Sequence, residues 1–135
     1  MPELDQDERK YKYCGPESRP HRVKTHETPL STENALSVIR TAWAVGRVHL
    51  GTHFKERCAE RGIDMLDVEN LITQGAIRGC GEYVPEYKTC KYRVVGTVDD
   101  RSLEVVVALD STEDYADSPL AILITAYERK AEAKP

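Results

Sequence analysis

KYRVVGTVDDRSLEVVVAL, residues 91–109, divides into two apolar runs about a polar break. In the first run Tyr92, Val94, Gly96 and Val98 alternate with Lys91, Arg93, Val95 and Thr97. That period of two marks a strand with one face toward a core. Asp99, Asp100, Arg101 and Ser102 read as a hairpin turn. Leu103 to Leu109 is almost wholly apolar, as expected of a central strand covered on both faces. Downstream, residues 110–119 form an acidic loop closed by Pro119, and Leu120 to Tyr127 reads as the last strand. Upstream, residues 76–79 and 82–88 read as two short strands around a Gly79–Gly81 turn.

Before Ala76 the period changes to that of a helix. A first helix follows Pro29, with Ser31 or Thr32 as N-cap, Leu36, Ile39 and Trp43 along its apolar stripe, and Gly46 as its stop. A short second helix is expected from about His53 to Glu60, capped by Thr52 and ended by Gly62, with Phe54 and Cys58 buried. Asp64 caps a third, in which Met65, Val68, Leu71 and Ile72 keep the 3.6-residue period and Gly75 takes the place of a C′ glycine. Helices first and a strand meander after them predict an α+β fold, with N-terminal helices packed on an antiparallel sheet.

The boundaries follow from composition. Residues 1–30 hold four prolines, dense alternating charge and few aliphatic side chains, which predicts an arm ordered only in part, pinned if at all by Tyr11, Tyr13 and Val23. Residues 31–130 form one α+β domain and 131–135 a polar tail. With 40% hydrophobic residues the chain can bury a core without metal or disulfides. No apolar run reaches the length of a membrane span, and MPELDQDERK is no secretory signal, so a cytoplasmic protein without a membrane partner is expected.

The four cysteines, at 14, 58, 80 and 90, make no CxxC pair. In a reducing compartment they read as small buried hydrophobes. A zinc site drawing on Cys80, Cys90 and histidines is the alternative, but its spacing fits no standard template, and neither metal nor cofactor is expected.

The densest chemistry lies in HFKERCAERGI, residues 53–63. His53, Arg57 and Arg61 are four residues apart and share one helix face. A histidine can exchange protons near neutral pH, and arginine forks fit phosphate bidentately. The plain alternative is a solvated face in which these arginines pair with Glu56, Glu60 or Asp64. A second group lies on the strands: Arg93 and Lys91 on one polar side, Thr125 and Tyr127 two apart on the last strand. If that sheet face turns toward the second helix, His53, Arg57, Arg93, Thr125 and Tyr127 converge. If it does not, Tyr127 packs at the sheet end and Thr125 is a strand former.

HFKERCAERGI, DVENLITQG, KYRVVGTVDDRSLEVVVAL and LAILITAY, in that order over residues 49–129, resemble the domain-of-unknown-function family DUF4258. That family is grouped on fold with the barnase, EndoU, colicin and RelE-like ribonucleases, many of them toxins. The resemblance implies a RelE/barnase-like α+β fold and metal-independent RNA cleavage by 2′-hydroxyl attack. It carries the polar motif positions to His53, Arg57, Arg61, Arg93, Thr125 and Tyr127. In this reading His53 transfers the proton, assisted by Arg57, Arg93 and Tyr127, while Arg61, Lys91 and Thr125 hold substrate. RNA and an antitoxin-like inhibitor are the implied partners. The alternative is a non-catalytic protein-binding module or inhibitor on the same fold, contacting its partner through the N-terminal arm or the acidic loop.

The net charge of −4 argues against a sequence-blind nucleic-acid binder. Its distribution is uneven. Residues 99–118 hold seven acidic side chains against Arg101, whereas residues 31–63 and 76–98 are each basic by two. Any RNA contact is therefore expected to be local and weakened by salt.

Overall fold

The computed structural model describes residues 26–129. In chain order its elements are α1 (Thr32–Val45), β1 (Val48–Leu50), α2 (Phe54–Glu60), α3 (Met65–Gln74), β2 (Ala76–Val84), β3 (Thr89–Val98), β4 (Arg101–Asp110) and β5 (Ala121–Glu128). The expected anchors Tyr11, Tyr13 and Val23 and the tail at 131–135 lie outside the described residues.

Local chemistry sets most of the boundaries. Ser31 caps α1 by accepting from the Asn34 amide, and Gly46 closes it at a φ of 81°. Asp64 and Asp67 form a reciprocal capping box at the start of α3. The β3–β4 turn is tighter than expected. Asp99 and Asp100 both take positive φ, 52° and 66°, as a type I′ turn requires, and Arg101 already belongs to β4. Ladder pairing then runs without a break from Val98↔Arg101 to Thr89↔Asp110.

Four strands form the expected antiparallel meander, and the sheet order is β1-β5-β4-β3-β2. Three readings are corrected. Val48–Leu50 forms an extra strand, parallel to β5, which makes the sheet mixed. Residues 76–84 are one strand, with its register shifting between Arg78 and Glu82 where two strands were expected. His53 rather than Thr52 precedes α2, and its side chain makes no capping bond.

All three helices pack on one face of the sheet: α1 against β2, α2 against β5, and α3 against β3 and β4. The core between these layers takes Ala35, Ile39 and Ala42 from α1, Phe54 and Cys58 from α2, and Val68, Leu71 and Ile72 from α3. The sheet contributes Cys90, Tyr92, Val94, Leu103, Val105, Val107, Leu109, Ala121, Leu123 and Ala126. Arginines tie the layers at their ends. Arg40 donates to the carbonyls of Ile72 and Gly75, and Arg101 donates to the Gly62 carbonyl and the Asp67 carboxylate. Residues 26–30 are drawn in by two amides, His26 to the Ser111 carbonyl and Leu30 to the Tyr92 hydroxyl.

Gly75 is needed for closeness, not for handedness. Its φ is −83°, so it is no left-handed C′ glycine. A Cβ there would lie 2.5 Å from the Leu71 carbonyl oxygen and 2.6 Å from that of Val95. Gly75→Ala is therefore expected to cost about 1–3 kcal/mol, read as a lower midpoint in urea. The cysteines differ in reach: Cys58 and Cys90 are buried and Cys80 is exposed on β2. Burial pushes the Cys90 thiol up to about 12. In a Cys14→Ser background, a disulfide-exchange reagent should titrate one fast thiol in the native protein, and the other two only on unfolding.

Candidate functional site: an arginine and tyrosine cluster on the helix-free sheet face

The other face of the sheet is covered by no described helix. Its residues follow from register. Arg93 opposes Val106 and Arg78, Val95 opposes Glu104, and Lys91 opposes Ala108 and Glu82. On β5 the alternation breaks once. Val106 pairs with Thr125 and Val107 with Leu123, which leaves Ile124 as an unpaired bulge residue. Before the bulge the odd-numbered residues Ala121 and Leu123 enter the core. After it Thr125 and Tyr127 turn to the helix-free face, beside Val106 and Glu104. A bulge commonly re-aims side chains in this way.

Glu104 is the centre of that face. It is 0% exposed, although it lies in the middle of an apolar strand. Its Oε1 accepts from Arg78 Nη2 at 3.0 Å and lies 3.7 Å from Arg129 Nε. Its Oε2 accepts from Arg93 Nη1 at 2.9 Å and from the Tyr127 hydroxyl at 2.6 Å. Arg93 Nη1 also donates to the Tyr127 oxygen at 3.3 Å, which closes a triangle. Three guanidiniums thus surround one carboxylate, so the cluster keeps an excess of positive charge. The arginines remain open to solvent, at 47%, 46% and 33% exposure for Arg78, Arg93 and Arg129.

The titration directions agree with this geometry. Burial works to raise the Glu104 carboxyl, but donation from Tyr127, Arg93 and Arg78 outweighs it and holds the group below its ordinary value. The bond to Glu104 raises Arg93 above its ordinary value. Burial, then the neighbouring Glu104, raises the Tyr127 phenol, so it is protonated at neutral pH. Glu104 is consequently an anion held by its donors, and the polar groups available to a ligand are the remaining guanidinium N–H groups of the arginines, with the Tyr127 phenol engaged beside them.

The predicted residues separate into three places. Arg93 and Tyr127 meet at Glu104, and Lys91 lies on the same face, two residues along β3. Arg61 and Thr125 meet at the sheet margin: Arg61 Nη1 donates to Thr125 Oγ1 at 3.1 Å and to the Ala126 carbonyl at 2.7 Å. Arg61 therefore grips β5 just beyond the stretch that β1 covers. His53 and Arg57 join neither group. His53 Nδ1 is 3.1 Å from Glu56 Oε1, and the exposed Arg57 side chain makes no hydrogen bond or ion pair among the described residues. His53 and Arg61 flank opposite ends of α2, about 12 Å apart along a helix. The convergence of His53 and Arg57 with Arg93 and Tyr127 does not occur, because α2 packs on the opposite face of the sheet from the arginine cluster.

Sequence reasoning missed Glu104, Arg78 and Arg129. The available signal was the lone carboxylate within LEVVVAL, since a charge buried in a central strand needs partners. Among the described residues no group of three or more His, Cys, Asp and Glu side chains is placed to hold a metal ion. No described helix is long and apolar enough to cross a membrane.

Helices on one face of a mixed sheet and an arginine cluster centred on a buried carboxylate on the other define the class: an α+β domain with one helix-covered and one helix-free sheet face among the described residues. The chain belongs to the family described as Domain of unknown function (DUF4258), which matches residues 50–128. That span takes in α2, α3 and β2 to β5, with Arg78, Arg93, Glu104 and Tyr127, and ends one residue before Arg129. No curated protein and no solved structure matches the chain.

Because the folded carboxyl of Glu104 titrates below its ordinary 4.5, its contribution to stability is complete above that value. It is lost as pH falls through the lowered folded value. Urea denaturation at pH 7 and pH 3 should therefore show acid destabilisation in the native chain and a smaller acid loss in Glu104→Gln. At neutral pH, Glu104→Ala should cost about 3 kcal/mol, the low end for opening a buried ion pair, because its arginines stay hydrated.

Proposed function

We propose that this protein is a metal-independent endoribonuclease whose site is the helix-free sheet face. The observation that carries the reading is the convergence of Arg78, Arg93, Arg129 and Tyr127 on the buried carboxylate of Glu104. A phosphodiester is a diffuse anion with two free oxygens, and half-exposed guanidinium forks suit it. Fixed positive charge at that position favours the phosphorane, which carries more negative charge than the ground state.

The reaction follows from the substrate's own nucleophile. The ribose 2′-hydroxyl loses its proton to water and attacks the adjacent phosphorus. The bond to the 5′-oxygen breaks, and that oxygen takes a proton as it leaves. Tyr127 is the proton-bearing group beside the arginines: its raised pKa keeps it protonated, and in this step its hydroxyl turns from Glu104 Oε2 to the leaving oxygen. Arg93, 3.3 Å from the phenol oxygen, steadies the phenolate until water reprotonates it. The products are a 2′,3′-cyclic phosphate and a 5′-hydroxyl. DNA lacks the nucleophile and is not cleaved. The proton-transfer role expected of His53 passes to Tyr127 in this reading, because His53 contacts Glu56 and not the cluster. Arg61 acts at one remove, holding the strand segment that carries Thr125 and Tyr127. This arrangement is what supports kinship in function with the RelE and barnase-like ribonucleases, and an acidic protein inhibitor would find the same arginines.

The test is RNA integrity in EDTA, with product ends read by mass. Wild type should release cyclic phosphate ends. Arg93→Ala and Tyr127→Phe should each slow cleavage by about 10²-fold or more. His53→Ala should remain within a few-fold of wild type, and the same ranking should appear in growth on expression. Intact RNA with wild-type protein, or a His53→Ala loss as deep as that of Arg93→Ala, overturns the assignment.

A further inference from the structure

We infer that the helix-free face takes an extended single strand of RNA along β3, with one phosphate at the Arg78–Arg93–Arg129 cluster and the next at Lys91. This deepens the ribonuclease reading and rests on it. Lys91 and Arg93 are two residues apart on one strand, so they point to the same face about 6.6 Å apart. That repeat is close to the step between successive phosphates in an extended strand. The Lys91 side chain makes no hydrogen bond or ion pair among the described residues, although Glu82 is its cross-strand neighbour on β2. Its charge is thus available, unlike that of Arg93, which Glu104 partly matches.

Beneath the cations the sheet is closed. On β4 the residues paired with Lys91 and Arg93 are Ala108 and Val106, both buried, so the surface a strand meets here is the side chains of Lys91 and Arg93 themselves. Three described carboxylates share this face on the paired strands: Glu82, the occupied Glu104, and Asp110 at the end of β4, whose Oδ1 accepts from the Thr112 amide and hydroxyl. On β3 the cations run in one file, Lys91 then Arg93, while Arg78 on β2 and Arg129 after β5 gather with Arg93 at Glu104. One backbone is therefore matched, and the second strand of a duplex finds no counterpart.

Fluorescence anisotropy with a labelled 2′-O-methyl hexauridylate, which cannot be cleaved, tests the footprint across a salt series. Lys91→Ala should weaken hexamer binding and reduce the salt slope by about 0.7, the loss of one single-strand phosphate contact. It should leave competition by uridine monophosphate unchanged, whereas Arg93→Ala should weaken both. A 2′-O-methyl duplex of equal length should bind more weakly than the single strand. Hexamer binding with an unaltered salt slope in Lys91→Ala, or duplex binding as tight as single strand, overturns the footprint and leaves the ribonuclease reading standing. Wild-type protein that binds no hexamer while still cleaving RNA overturns the footprint alone. Protein that does neither overturns both.

Discussion

A carboxylate inside a sheet can remain charged only if the protein replaces the water it has lost. For Glu104 that replacement comes from Tyr127, Arg93 and Arg78, with Arg129 close by. These partners stand on β2, β3, the strand β5 and the residue that follows it. One side chain on β4 thereby links the strands on both sides of it across the surface that the helices do not touch. The arrangement also works in the other direction. Arg78 and Arg93 are directly opposite each other on neighbouring strands, a like-charge pairing that is unfavourable by itself. The anion between them converts a repulsion into a convergence.

The two faces of the sheet are therefore stabilised by different physics. On the helix side, close-packed aliphatic and aromatic residues exclude water, and arginines serve only the margins, as Arg40 and Arg101 do. On the far side, cohesion comes from charge-assisted hydrogen bonds gathered on a buried carboxylate. β4 makes this division possible. Leu103, Val105, Val107 and Leu109 belong to the core, while Glu104, Val106 and Ala108 face the other way and are buried as well.

Features set within a few residues were legible in the sequence. The Asp64 cap, the Gly46 stop and the two-residue rhythm of Tyr92 to Val98 are local, and the structure contains each of them. Features set by long-range pairing were not. Val48–Leu50 is too short to show a period and is a strand only because β5 lies beside it. The bulge at Ile124 leaves no trace in LAILITAY, where apolar residues stand on both sides of the slip. The helix-face reading of His53, Arg57 and Arg61 was a statement about one element. Where that face pointed depended on how α2 packs on β5, which no spacing within the helix encodes. Glu104 was hidden for another reason: counted with Asp99, Asp100 and the loop acids, it looked like one more solvated charge.

The parallel contact between β1 and β5 has a bearing on synthesis. Val48 to Leu50 is made early, yet its partner, Ala121 to Leu123, is made about seventy residues later. β5 is also an interior strand of the finished sheet, between β1 and β4. The ribosome must therefore release nearly the whole domain before the sheet can close, and such non-local pairing is slow to form. Tyr127 and Arg129 arrive with that final segment. A nascent chain carries Arg78, Arg93 and Glu104 without them, so the complete cluster first exists only when the domain has left the machinery that made it.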